Sequence, residues 1–240
     1  MPRLLSPMNS NAKTIKGLDE KGIEGVILYL SAADSAAKKL GRKITVCPWA
    51  DGCEEPCLVG AGRGRMSPVQ AGRLRKTLMY FNDKSRFLGE LTHELGLLSK
   101  RAAKKDKLAT ARLDGTSDLG LDRVVAPYFQ EIQFYGYTKS EKRITEWLTE
   151  ADTVPSQNRH YTFSRGATNQ DACERVLALG GNVAVPSVLE RPDTFMGYPT
   201  LNGDKHDFRF RDKPGHIVWL TAKGTKEMIR SGINSGFIID

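Results

Sequence analysis

Short apolar runs alternate with longer amphipathic ones along most of this chain. VILYLS (26–31) is apolar and β-rich, and AADSAAKKLG behind it predicts a short Ala-rich helix stopped at Gly41. KITVC (43–47) predicts a second strand. Ser67 and Pro68, a cap and a first-turn proline, open a helix over PVQAGRLRKTLMYF. A further helix from Ser85 places Phe87, Leu91, Leu95 and Leu98 on one face at helical spacing. LATARLD (108–114), QFYGYT (133–138), HYTFSR (160–165), NVAVPSV (182–188) and HIVWLTA (216–222) predict the remaining strands. Between them stand APYFQEI, SEKRITEWLTE with Ser140 as its cap, and TNQDACERVLALGG with a glycine stop. GTKEMIRS and a final GFIID complete the series.

Strands alternating with helices imply parallel pairing through crossover connections. About eight strands predict a TIM-like (β/α) barrel, and 240 residues is a length that such barrels use as one domain. The barrel is expected over residues 21–240, behind a flexible leader, residues 1–20. Residues 189–215 lack a convincing helix, and their Gly, Pro and alternating aromatics predict a β-hairpin insertion that leaves the barrel irregular or incompletely closed. A doubly wound open sheet satisfies the same periodicity, because period alone does not distinguish closure from openness.

Composition narrows the class. Ordinary apolar and charged fractions fit a globular protein with a real core. No apolar run approaches the roughly 20 residues of a membrane span, and MPRLLSPMNSNAK lacks the apolar centre of a secretory signal, so a cytoplasmic location without membrane contact is expected. The net charge of +8 permits attraction to nucleic acid or another polyanion. That charge is spread over RGR (63–65), RLRK (73–76) and KRAAKK (100–105), and a solvated helix face accounts for the last equally well.

The chain has four cysteines, and three fall together in CPWADGCEEPCLVGAGRGR, as Cys47, Cys53 and Cys57 with Cys-x5-Cys-x3-Cys spacing. Structural disulfides are rare in a cytosolic protein. Thiolates are soft ligands for iron–sulfur clusters and zinc. Structural zinc sites commonly use four ligands and Cys-x2-Cys knuckles, neither of which is found here; the first histidine is His93, on a predicted helix. Three cysteines fit a 4Fe–4S cluster with one iron left for another ligand, or a 3Fe–4S cluster. Pro48, Gly52, Pro56 and Gly60 suit a chain that wraps a bulky cofactor. Zinc, or three free surface thiols, remain the alternatives. Cys173 shares a helical face with Val176 and Leu177 and reads as a core residue.

Active sites of β/α barrels gather at the carboxyl ends of the strands. Cys47 ends a predicted strand, and GAGRGR adds glycines and Arg63, which could meet an anion. RLDGTSD brings Asp114, Ser117 and Asp118, YGYTK brings Lys139, and TFSRGATN brings Arg165 to the same end. These form a candidate pocket for a small molecule or anionic ligand, although turn and cap roles explain several of them individually. Asp204, His206, Asp207 and Asp212 in the insertion could hold a metal, or simply make a polar hairpin. No P-loop, GxSxG elbow, HExxH or dinucleotide fingerprint occurs, so hydrolase and nicotinamide-dehydrogenase readings have no support.

CPWADGCEEPCLVGAGRG, RLDGTSD, FYGYTK, YTFSRG, NVAVP and IVWLTAKG together resemble the gene product 88 type of bacteriophage and plasmid proteins, over roughly residues 43–224. The resemblance implies a viral or mobile-element protein made in a bacterial host, and no particular activity. A more distant likeness is to radical SAM enzymes, which also place three cysteines early in a barrel-like fold and bind S-adenosylmethionine. Their usual Cys-x3-Cys-x2-Cys motif differs from the spacing here. Two functions follow as expectations: a redox or radical enzyme, or a non-catalytic protein that uses the cluster, or zinc, as a staple and binds nucleic acid or a host protein.

Overall fold

The computed structural model describes residues 3–8, 22–57, 62–149 and 157–240, with only the backbone at 62 and 63. Six strands run parallel and follow one another across the sheet in chain order: β2 (Ile23–Leu28), β3 (Leu108–Arg112), β4 (Ile132–Thr138), β5 (Arg159–Ser164), β6 (Val183–Ser187) and β9 (Ile217–Thr221). β1 (Leu5–Pro7) lies antiparallel along β2 at one edge. At the other edge β8 (Tyr198–Asn202) runs parallel to β9, and β7 (Thr194–Phe195) pairs with it antiparallel.

Registered pairs fix the faces of the sheet. Val26, Ala111, Phe134, Tyr161, Phe163, Val183 and Ile217 project to one side and are buried there. The helices cover this side. α3 (Lys84–Lys104) buries Phe87, Leu91, Leu95 and Leu98 over β2 and β3, as its spacing predicts, and Asp83 caps it by accepting from the Arg86 amide at 3.0 Å. α5 (Glu141–Thr149) packs on β4 and β5, and α6 (Gln170–Ala178) buries Cys173, Val176 and Leu177 over β5 and β6. Cys173 is therefore the core residue its face predicts. α2 (Ser67–Asn82) packs beside α3, α7 (Lys226–Asn234) closes the chain, and α1 (Ala37–Leu40) and α4 (Asp122–Val125) are single turns.

The opposite side carries Ile27, Arg112, Tyr135, Tyr137, His160 and Thr162. It is covered by Met8 and by the segment Asp207–Phe210, whose Phe208 and Arg209 have no exposed surface. Arg112 pairs with Asp207 at 2.7 Å and lies over the Tyr137 ring at 4.8 Å. Burial of a cation there is tolerated because the carboxylate comes with it.

Three expectations are corrected. The sheet has the strand succession of a β/α barrel but is open, since β1 occupies the free edge of β2 and the β7–β8 hairpin extends beyond β9. That hairpin is the insertion expected within 189–215. KITVC forms no strand: both edges of β2 are taken, so the segment crosses the strand ends, with the Val46 amide donating to Ala33 O at 2.9 Å and its carbonyl accepting from the Asp118 amide at 2.8 Å. Part of the expected flexible leader is core. Leu4, Leu5 and Met8 are buried, and the Leu4 and Leu5 amides donate to the Glu94 carboxylate at 2.7 and 2.8 Å. Residues 9–21 lie outside the described residues.

Candidate functional site: a thiol loop across the carboxyl edge of the sheet

The cysteine loop runs past the carboxyl ends of the strands, and three docking contacts hold it. At its start the Cys47 sulfur lies 3.9 Å from Thr116 O, in the loop that follows β3. In its middle, Asp51 caps the turn between β5 and α6, accepting from the Thr168 amide at 3.0 Å and the Thr168 hydroxyl at 3.1 Å; its carbonyl accepts from the Ala167 amide at 3.1 Å. The carboxylate fits because residue 166 is glycine: a Cβ there would lie 2.0 Å from Asp51 Oδ2. At its end the loop rests on α7, where Ser235 donates to Gly52 O at 3.0 Å and Ser231 donates to Glu55.

Cys47, Cys53 and Cys57 are all partly buried and not in disulfides. Burial, reinforced by the Cys57 and Cys53 sulfurs and by Asp118, pushes the Cys47 thiol up to about 12, against a hydrogen bond from the Ala33 backbone. Among the described residues no group of three or more His, Cys, Asp and Glu side chains is gathered closely enough to hold a metal ion. Ligands of one tetrahedral ion, each about 2.3 Å from it, must nearly touch. Thiolates of a cluster sit on separate irons and stand farther apart. Soft donor atoms and partial burial are what the loop offers toward a cluster.

The other predicted groups do reach this edge, and internal bonds engage most of them. Asp114 accepts from the Ser117 hydroxyl at 2.6 Å and from the Leu119 and Gly120 amides at 3.0 and 2.8 Å, which shapes its own loop. Asp118 accepts from the Lys139 amide at 2.9 Å, from Thr138 Oγ1 at 3.2 Å and from Arg143 Nη1. Desolvation pushes the Asp118 carboxyl up, and the Arg143 charge opposes it. Lys139 sits over the Phe237 ring at 4.9 Å, and Arg165 donates to Gly236 O at 2.8 Å and Phe237 O at 3.2 Å, pinning the C-terminal segment. Ser140 caps α5, accepting from the Arg143 amide at 3.3 Å. Gly60 and the Arg63 side chain lie outside the described residues.

The insertion carboxylates also find cations. Asp204 pairs with Lys223 at 2.9 Å, Asp207 with Arg112, and Asp212 with Arg209 at 3.0 Å. Sequence reasoning missed two features. One is the buried polar side of the sheet around Arg112 and Tyr137, signalled only by Arg and Tyr at alternate positions of predicted strands. The other is Arg73, one of four residues in RLRK, whose guanidinium lies over the Tyr29 ring with Nε and Nη1 buried and unbonded among the described residues. An open groove of about 690 Å³ lies beside the loop, lined by Glu55, Lys226, Glu227, Arg230 and Ser231.

These features define a singly wound, open α/β sheet protein with a thiol loop laid over its carboxyl edge. The family model for gene product 88 matches residues 4–240, and the chain belongs to that family. No curated protein and no solved structure matches the chain. The likeness to radical SAM enzymes therefore gains no support. Among the described residues no helix is long and apolar enough to cross a membrane.

Proposed function

We propose that this member of the gene product 88 family is an iron–sulfur protein of a bacteriophage or mobile element, working in the cytoplasm of a bacterial host. Cys47, Cys53 and Cys57 would be the thiolate ligands of a 4Fe–4S or 3Fe–4S cluster, with one coordination position left for a ligand other than cysteine. The observation that supports this reading is the grouping of three partly buried thiols, none in a disulfide, on a loop anchored at the carboxyl edge of a parallel sheet. A bound cluster would supply one-electron chemistry. The chain's own part is to fix the loop through Asp51, Ser231 and Ser235 and to keep the sulfurs half-shielded from water.

A second reading, in which the cluster is a structural staple, draws on the engagement of Asp114, Ser117, Asp118, Lys139 and Arg165 in internal contacts. The basic surface would then grip nucleic acid or a host protein, and binding to nucleic acid would weaken steeply with salt as counterions are released. S-adenosylmethionine belongs to neither reading, because the cysteine spacing is not that of the enzymes that use it.

Anaerobic purification, iron and acid-labile sulfide analysis and electron paramagnetic resonance test the cluster. Cys47→Ser, Cys53→Ser and Cys57→Ser should each lose most of the iron, while Cys173→Ser, a change in the core, should retain it. A colourless protein with stoichiometric zinc would refute the proposal.

A further inference from the structure

We infer that a polar layer on the side of the sheet away from the helices, formed by Arg73, Arg112, Tyr137 and Thr162, binds a tetrahedral oxyanion of the phosphate class, as the free ion or as the phosphoryl end of a small molecule. The cysteines take no part in it. Tyr137 and Thr162 are registered partners on β4 and β5, and they share their face with Tyr135 and His160, two residues earlier. Arg112 ends β3 and follows Ala111, which faces the helices, so it projects to the other side, where its guanidinium lies over the Tyr137 ring at 4.8 Å. Tyr29 stands two residues beyond Ile27, the registered partner of Arg112, and packs in one cluster with Ile27 and Tyr135. Arg73 reaches this layer from α2, its guanidinium 5.2 Å from the centroid of the Tyr29 ring. The Thr77 hydroxyl donates to Arg73 O at 3.0 Å and accepts from the Ser31 amide at 2.9 Å, which fixes that turn of helix in place. Strand register and two ring contacts thus bring these groups together near the carboxyl ends of the strands, where open α/β sheets bind their ligands.

The layer is rich in donors that bond nothing. Arg73 Nε and Nη1, Arg112 Nε, Tyr137 Oη and Thr162 Oγ1 are shielded from solvent and meet no hydrogen-bond partner among the described residues. Thr162 has no exposed surface at all. Buried donors without acceptors are unfavourable, and a charged donor more so. The charge of Arg112 is answered by Asp207, which its Nη1 meets at 2.7 Å. Arg73 is paired with no carboxylate among the described residues, and a guanidinium stays protonated at any ordinary pH. Water would satisfy a donor or two and leave that charge unanswered. A carboxylate offers two oxygens in one plane. Phosphate offers more oxygens, negative charge and a tetrahedral outline, which suits donors that come from α2, β3, β4 and β5. Arg112 keeps 15% of its side chain exposed, and Arg73 and Tyr137 are only partly buried, so the layer reaches the surface and a small ligand has a way in.

The test is a calorimetric titration of the full chain with inorganic phosphate at constant ionic strength, with urea midpoints measured on every variant. Wild-type protein should bind phosphate saturably. Arg73→Gln, which loses a charged donor, should bind about tenfold more weakly, and Tyr137→Phe, which loses one neutral hydroxyl, about fivefold. Arg75→Gln removes an exposed charge from the same helix and should match wild type. Glycerol 3-phosphate separates the two sources of the ligand: binding tighter than phosphate assigns the layer to the phosphoryl end of a small molecule, and equal or weaker binding assigns it to the free ion. Wild-type protein that binds neither probe saturably overturns the inference, and internal water then serves these donors. Wild-type affinity in Arg73→Gln or Tyr137→Phe overturns it too. Equal losses in Arg75→Gln and Arg73→Gln overturn it as well, because the attraction is then diffuse. If Arg73→Gln does not fold, Tyr137→Phe and Thr162→Val decide, since each gives up only a hydroxyl without a bond among the described residues: weakened binding supports the inference, and wild-type affinity overturns it.

Discussion

Replacing Asp51 by alanine tests how the loop positions its sulfurs. Asp51 lies between Cys47 and Cys53, and its carboxylate is the side-chain link between the loop and the turn after β5. Two bonds to Thr168 are lost in Asp51→Ala, while the backbone bond from the Ala167 amide to Asp51 O is retained. Hydrogen bonds to a charged group contribute about 1.5–3 kcal/mol each when buried. These are solvent-accessible, so the pair together should contribute about 1.5 kcal/mol, roughly tenfold in an equilibrium constant. No buried donor is stranded, because water reaches Thr168 once the carboxylate has gone. The loss should fall on the loop, not on the sheet. With the proposed cluster bound, the assay is the rate at which a chelator strips its iron from the anaerobic protein, with the urea midpoint of the apo-protein measured alongside. The expected result is iron release about ten times faster, with a midpoint close to wild type. Wild-type retention of iron in Asp51→Ala would refute the reasoning, because docking of the loop would then have no part in arranging the thiols.

Two further substitutions probe the scaffold beneath the site. Arg143→Met leaves the buried Asp118 carboxylate with only Thr138 and Lys139 as partners, which should cost about 3–5 kcal/mol in urea unfolding at pH 7; a loss below about 1 kcal/mol would show that the pair is not needed. Asp122 accepts from the Tyr161 hydroxyl, and burial pushes its carboxyl up from 3.8 to about 6, so the folded state keeps a proton that the unfolded chain has lost and stability falls as pH rises through that window. Burial, aided by the Arg209 charge, lowers His160 from 6.5 to about 4, which acts in the opposite sense: that stability is lost as pH falls from about 6.5 to about 4. Asp122→Asn removes only the first slope, so relative to wild type it should gain up to about 3 kcal/mol between pH 4 and 7, and parallel stability–pH curves would contradict this assignment.

Much of the architecture was legible because it is local. Alternation at period two marks Val26, Ala111, Phe134 and Phe163 as one face, and spacing at period 3.6 marks Phe87 to Leu98 as the helix stripe that covers it. The cap at Ser140 is short-range chemistry of the same kind. KITVC was misread because its apolar residues satisfy a strand pattern, while strand formation needs a free neighbouring edge. β1 and β3 occupy both edges of β2, and Val46 reaches the core from a crossing segment instead. The site was legible as a set of thiols and as a set of strand ends. The partners of those strand ends were not, since Asp118 meets Arg143 and Arg165 meets Gly236 only after the chain has folded.

The sequence by itself determined the strand–helix series, the membership of Cys173 in the core and the grouping of three cysteines on one loop. These follow from residues near one another in the chain, whose geometry the backbone imposes. Tertiary structure alone decided that the sheet stays open and that the polar groups at its carboxyl edge mostly bond to one another. It also decided that Arg73 stacks on Tyr29 with two buried donors unbonded among the described residues. Each of these depends on which distant segment fills a given edge or meets a given charge, and packing of the whole chain sets that choice.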